Sequence, residues 1–231
     1  MGDQLIERRM EKANKMLRVG DKEAKITIDF CQRAKARLLD LAPLRGMNLL
    51  PEDMPIIREI APLTIKPMFY IANIGEEDLQ GESHALPALL QEHAHRQGLP
   101  VVPFCARLEQ EIHELDKEEQ QEFIEQMGLE KSATTEIINT GYRVLNLVTF
   151  YTKVGPELRA WTIPQGTKAP RAAGIIHTDF EKGFIKAEVV SFQSFVQAGS
   201  EAEARNKGLI RVEGKDYTIQ DGDIIHFRFK G

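Results

Sequence analysis

Lys66-Pro67-Met68-Phe69-Tyr70-Ile71-Ala72-Asn73-Ile74-Gly75-Glu76 holds a short apolar run, Met68–Ala72, between a proline and a polar turn. A second run, Val101–Phe104, follows Leu99-Pro100. Both have the length and β-branched or aromatic content of buried strands, and the stretch 86–97 between them reads as helix. Strand, helix and strand in this order predict a right-handed βαβ unit with parallel strands. Two strands make no stable sheet, so the unit is expected to be part of a larger α/β domain with an exposed edge, an invitation to pair as a homodimer. Asn73 and Glu76 fall at the carboxyl end of the first strand, where open α/β sheets bind ligands. A carboxylate only accepts hydrogen bonds, while an amide both donates and accepts. Glu76 can therefore take N–H groups from a purine edge while Asn73 braces the loop. Backbone N–H groups of Phe104-Cys105-Ala106-Arg107 can meet the same base. The same residues also fit an Asn turn with Glu76 capping the next segment.

Upstream, Leu5, Ile6, Met10, Ala13, Met16 and Leu17 recur at near-heptad spacing over residues 4–19. Gly20-Asp21 gives a stop and a cap, and Ile28, Cys31, Ala34, Leu38 and Leu41 resume the pattern over 22–42. This predicts an antiparallel helical hairpin over residues 1–50, with the Met and Leu stripe packed inside it. The acidic stretch 109–125 is expected to be one helix with a solvated face. From about Leu147 the pattern changes to short β-rich runs broken by Gly, Pro and Asp. These are Leu147–Thr152, Leu158–Ile163, Ile185–Val190, Leu209–Val212 and Ile224–Phe229, with short helices at Ala169–Ile175 and Ala202–Lys207. The reading is an α+β domain over 147–231.

Of 231 residues, 42% are hydrophobic and 28% charged, values of a globular chain. No apolar run nears the roughly 20 residues of a membrane helix, and the N-terminus lacks an apolar signal core. Cys31 and Cys105 form no framework or CxxC pair, so a reducing, cytoplasmic setting is expected, with neither membrane partner nor zinc. His93 and His95 are two apart on a helix and make a poor metal pair, while His84, His113 and His226 are isolated. The net charge of −5 argues against a generally basic nucleic-acid binder. The charge is uneven: 18 basic and 25 acidic residues over 1–146, against 12 and 10 over 147–231. The C-terminal third is therefore the better place for a phosphate-rich partner. There Gly166-Thr167-Lys168-Ala169-Pro170-Arg171 reads as a turn entering a helix, with Lys168 and Arg171 near its N-terminus. Lys182, Lys186, Arg211 and Lys215 can extend that patch, and His177 can stack on a base. An ordinary mixed-charge surface, a helix-capping His177 and a core Trp161 are the plainer readings. Neither GxxxxGK[ST] nor GxGxxG occurs, and no order of residues suggests a catalytic triad, so no catalytic residue is assigned.

Asn73-Ile74-Gly75-Glu76 after a Lys-Pro-hydrophobic strand, and Cys105-Ala106-Arg107 after the next, resemble the base-recognition loops of the YchF-type Obg-like P-loop ATPases. So do Leu158-Arg159-Ala160-Trp161-Thr162-Ile163, Gly166–Gly174, Ile176–Glu188 and Glu213-Gly214-Lys215-Asp216-Tyr217, which resemble that family's C-terminal TGS domain. The resemblance implies an α/β chain with three parts. These are a helical coiled-coil hairpin (1–50), the C-terminal part of a P-loop NTPase-like domain (51–146) and an α+β, β-grasp-like TGS domain (147–231). It further implies adenine contacts from Asn73, Ile74 and Glu76 with Cys105 nearby, and ribosome or rRNA contact through the TGS domain. The family's Walker loop and magnesium-binding hydroxyl are not among these residues. ATP binding is therefore expected to be weak or absent and hydrolysis missing in this chain alone, with Mg2+ used only in the intact family. A module that binds other proteins, without nucleotide or RNA, is the competing expectation.

Overall fold

The structure, a computed structural model, describes residues 2–17, 21–79, 88–154 and 157–230. Gly20, His84 and the Gly155-Pro156 break, used in the sequence reading, lie outside these residues. The chain forms two compact units, Met1–Pro103 and Phe104–Gly231.

The first unit begins with α1 (Gly2–Leu17) and α2 (Lys22–Leu39). Asp21 starts α2 by accepting the N–H of Glu23 at 2.9 Å. Ile6 of α1 and Phe30, Cys31 and Ala34 of α2 are buried together with Leu44, Ile56 and Ile57. Lys35 Nζ lies 2.7 Å from Glu7 Oε1, as an antiparallel pair requires. The packed seam of α1 is Ile6, Met10 and Ala13, at helical spacing. Leu5, Met16 and Leu17, expected in the same stripe, are exposed because they lie off the seam that α1 presents to α2 and α3 (Met54–Ile60). Short 3₁₀ turns at Leu44–Gly46 and Pro51–Asp53 lead to α3. Asp53 is fully buried and accepts from Arg33 Nη2 and from the Leu50 N–H, both at 2.7 Å. Arg33 also holds Asp29 and the Asn48 carbonyl, so one guanidinium ties α2 to the following turns.

A 3₁₀ turn at Leu63–Ile65 precedes β1 (Tyr70–Asn73), α4 (Glu76–Leu79), α5 (Ala88–Gln97) and β2 (Val101–Phe104). β1 and β2 are hydrogen-bonded neighbours in a two-stranded sheet, and the Tyr70 N–H bonds the Pro100 carbonyl at 2.9 Å. β1 starts two residues later than its apolar run. Only Ala72 in it is buried and Ile71 is half exposed, so the strand is not the interior one that the run predicts. A strand with one neighbour has no further layer to cover both its faces.

In the second unit, α6 (Ala106–Glu114) and α7 (Lys117–Gln126) replace the single acidic helix expected. The break is a capping box: Asp116 accepts the N–H groups of Glu118 and Glu119, and Glu119 returns a bond to the Asp116 N–H. α8 (Ala133–Val144) follows, capped by Ser132. The Glu109 carboxylate, from α6, also accepts the Ala133 and Thr134 N–H groups.

The remainder is a five-stranded sheet of β3 (Leu147–Val154), β4 (Glu157–Pro164), β5 (Phe184–Ser191), β6 (Arg211–Glu213) and β7 (Asp223–Phe229). Its spatial order is β4-β3-β7-β5-β6, with β3 and β7 parallel and the other pairs antiparallel. One face buries Val148, Phe150, Ile163, Ala187, Val189, Ile225 and Phe227 against Ala169, Ala172 and Ala173 of α9 (Ala169–Ile176). Three alanines on α9 let the helix approach the sheet closely. Phe180 of α10 (Thr178–Lys182) stacks on Phe229 with ring centroids 3.8 Å apart. Gly183 joins α10 to β5 where a Cβ would collide with the Lys230 carbonyl oxygen, so only glycine fits. On the other face, α11 (Phe192–Ala198) and α12 (Glu201–Asn206) cover the end that carries Val190 and Ile224. The five predicted strands and two predicted helices are present. α10 and α11 are additional.

Candidate functional site

Two regions carry the residues nominated for binding. In the first unit, Asn73 closes β1 and Glu76 opens α4, so a strand end and a helix start bracket Ile74-Gly75. Asn73 and Glu76 are exposed and Ile74 is half-buried. Glu76, Glu77 and Asp78 occupy the first turn of α4, which concentrates hydrogen-bond acceptors at this loop. The Asp78 N–H closes the turn onto the Gly75 carbonyl at 3.2 Å. Cys105, the second residue of the second unit, follows β2 directly and N-caps α6 with a buried side chain. His93 of α5 lies against the Tyr70 ring at 5.9 Å and bonds Gln97, a packing role. Among the described residues no three His, Cys, Asp or Glu side chains gather as a metal site.

In the second unit, Lys168 is the N-cap of α9. Its ammonium lies 3.0 Å from Asp216, and Arg171 lies 3.5 Å from Glu181. The Ala169 N–H already bonds the Tyr217 carbonyl, and Pro170 has no N–H. This helix start thus offers an anion fewer amides than an open first turn would. His177 caps α10 by accepting the Asp179 N–H at Nδ1 and packs on Phe180, as the plainer reading anticipates. Trp161 packs against the core, and its indole N–H donates to Thr152 at 2.9 Å. Arg211 pairs with Glu213 and donates to the Tyr217 hydroxyl. That hydroxyl in turn donates at 2.7 Å to Asp223, which is almost fully buried. Burial, and then the Asp223 carboxylate, push the Tyr217 phenol up to about 12. Arg211 is therefore partly committed to structure. Lys182 and Lys215 are exposed and have no ion-pair partner among the described residues.

One charged centre was not legible as such in the sequence. Glu188 of β5, with a nearly buried side chain, accepts from Arg228 of β7 and Arg205 of α12. Lys186 stands 3.7 Å away. The Arg228 hydrogen bond first, and then Arg205, hold the Glu188 carboxyl below the usual carboxylate range despite its burial.

Residues 147–230 match a family model described as the YchF-GTPase C-terminal domain, a protein of unknown function. The chain is 41% identical over 223 residues to a Pasteurella multocida protein named ribosome-binding ATPase YchF, covering 96% of this chain and 61% of the relative. It is 37% identical over 225 residues to the Bacillus subtilis protein of that name, covering 97% and 62%. The YchF GTPase structure of Schizosaccharomyces pombe superimposes with a TM-score of 0.77 at 29% identity, over 98% of this chain and 64% of that one. The chain thus spans about three fifths of the length of these relatives.

Proposed function

We propose, from a likeness to proteins named ribosome-binding ATPase YchF that runs along nearly the whole chain, that it carries that family's ribosome-docking and base-recognition parts. Residues 147–231 act as a TGS domain that meets the ribosome. The sheet order, with the last strand between the first and the third, supports a β-grasp assignment. The α1–α2 hairpin is the coiled-coil insertion, and residues 51–146 are the C-terminal part of a nucleotide-binding domain. Asn73, Ile74 and Glu76 form the adenine-reading loop, and Cys105 is carried over as the further base-contact residue that the resemblance implies. Phosphate and Mg2+ contacts, which carry most of a nucleotide's affinity, are assigned to no residue here. The observation that carries this reading is the match along 96% of the chain to a protein named for ribosome binding.

Sedimentation with purified ribosomes tests it. The chain should pellet with ribosomes at low salt and be released as salt rises, because phosphate contacts exchange with counterions. A folded sample that stays in the supernatant at low salt contradicts the proposal.

A further inference from the structure

The sequence draws attention to Lys168 and Arg171, yet the structure pairs both with carboxylates. The opposite face of the sheet is charged differently. Along the C-terminal strand, His226-Phe227-Arg228-Phe229-Lys230 alternates basic and aromatic residues. Phe227 is buried in the core and Phe229 stacks on Phe180, on the side of α9 and α10. His226, Arg228 and Lys230 are all exposed, and strand alternation puts them on the other side. The Lys230 N–H bonds the Gly183 carbonyl at 2.8 Å, so the extended pairing continues past the strand end.

Neighbouring strands widen this ladder. Lys186 is the register partner of Arg228, and Glu188 that of His226. β3 runs parallel to β7 with Tyr151 opposite Ile224, which brings Lys153 beside His226 two residues on. Both line one small depression together with Glu188, Glu201 and Arg205. Five cations, Lys153, Lys186, Arg205, Arg228 and Lys230, thus share the face with two carboxylates. One of these, Glu188, is nearly buried and serves to hold Arg205 and Arg228 in place. Lys153 and Lys230 have no ion-pair partner among the described residues.

We infer that this outer sheet face, centred on His226, Arg228 and Lys186, is where the domain contacts ribosomal RNA phosphates. The inference rests on the ribosome-docking reading and names its surface. RNA suits the face better than an acidic protein does. A phosphodiester chain is a row of anions that meets a row of cations without an apolar anchor. Tight protein partners bury an apolar or aromatic centre. On this face the exposed apolar residues, Leu158 opposite Lys153 and Val212 opposite Glu188, lie on the two edge strands, the apolar lining of the depression is buried or partly buried, and the central strands carry His226, Arg228 and Lys186.

The test measures binding of the full chain to purified ribosomes and to protein-free ribosomal RNA across a salt series. Lys153→Glu with Lys230→Glu is the main variant, because neither residue holds the fold through an ion pair. Lys168→Glu with Arg171→Glu is the comparison, and thermal melting confirms folding of each. Lys153→Gln with Lys230→Gln replaces the main variant if that one melts early. The main variant should bind both targets about tenfold or more weakly, with a salt slope lower by about 1.5 to 2, as two lost phosphate contacts imply. Unchanged affinity and slope, with loss only in the Lys168 and Arg171 variant, overturns this surface and leaves the docking reading intact. Weakened ribosome binding without any binding to free RNA overturns the RNA assignment in favour of an acidic protein. A parent chain that binds neither target overturns the docking reading itself, and this inference with it.

Discussion

Phe150→Ala should destabilise the chain by about 3 to 5 kcal/mol, the range for emptying a fully buried aromatic site. Phe150 has no exposed surface and sits at the centre of the sheet core. Its ring meets Phe227 edge-on, with centroids 5.9 Å apart and planes at 86°. Truncation removes the apolar transfer energy, the aromatic pair and the contacts lining the void. The surrounding strands are tied by paired backbones and cannot collapse into it. Phe150→Leu keeps most of the volume and should cost about 1 to 2 kcal/mol. Phe192, which is half exposed, provides the contrast: Phe192→Ala should change stability by about 0.5 kcal/mol or less. Urea unfolding followed by far-UV circular dichroism reads all three. A Phe150→Ala loss below about 1 kcal/mol would mean that the core is not built around this ring.

Asp53→Ala should cost about 2 to 4 kcal/mol, slightly under the range for breaking a fully buried ion pair. The carboxylate has no exposed surface, and its two oxygens take the Arg33 guanidinium and the Leu50 N–H. Removing it leaves that N–H without its partner and frees Arg33 from the turn it anchors. The Arg33 side chain retains 30% exposure, so water can take over part of its solvation, which sets the lower end of the range. Asp53→Asn keeps an acceptor for the Leu50 N–H and should recover roughly half of the loss. Equal stability of the Ala variant and the parent in the same urea titration would show that this carboxylate does not hold the turn.

The fold was legible where the signal is local. Val101–Phe104 forms the strand its apolar run predicts, and Asp21 caps α2. The β-rich runs after Leu147 each give a strand, the one at Leu209–Val212 shifted to Arg211–Glu213. What escaped has physical reasons. The acidic stretch hides its own break, because Asp116 and Glu119 look like two more surface charges until they cap each other. α8 is rich in threonine and isoleucine and borrows part of its cap from Glu109, far back in the sequence. β1 is more exposed than its composition suggests, because composition does not report how many neighbours a strand has.

The candidate site divides in the same way. Asn73 and Glu76 do fall at a strand end and a helix start, as the motif spacing predicts. Lys168 and Arg171, nominated as an exposed phosphate-facing pair with a mixed-charge surface as the plainer reading, are paired with Asp216 and Glu181. The alternation of His226, Arg228 and Lys230 along the last strand was missed in the sequence, although that signal is local. Its joining with Lys153, Lys186 and Arg205 depends on strand order, which no local pattern gives.

Displacement from the ribosome is the most direct measurement of whether this chain holds the docking surface proposed above. Ribosomes loaded with a labelled, full-length YchF relative would be titrated with the unlabelled 231-residue chain at low salt. The relative should be released in proportion to chain bound, and Lys153→Glu with Lys230→Glu should release it poorly. Simultaneous retention of both proteins on the ribosome, or no effect of the chain at saturating concentration, would contradict the proposed docking surface.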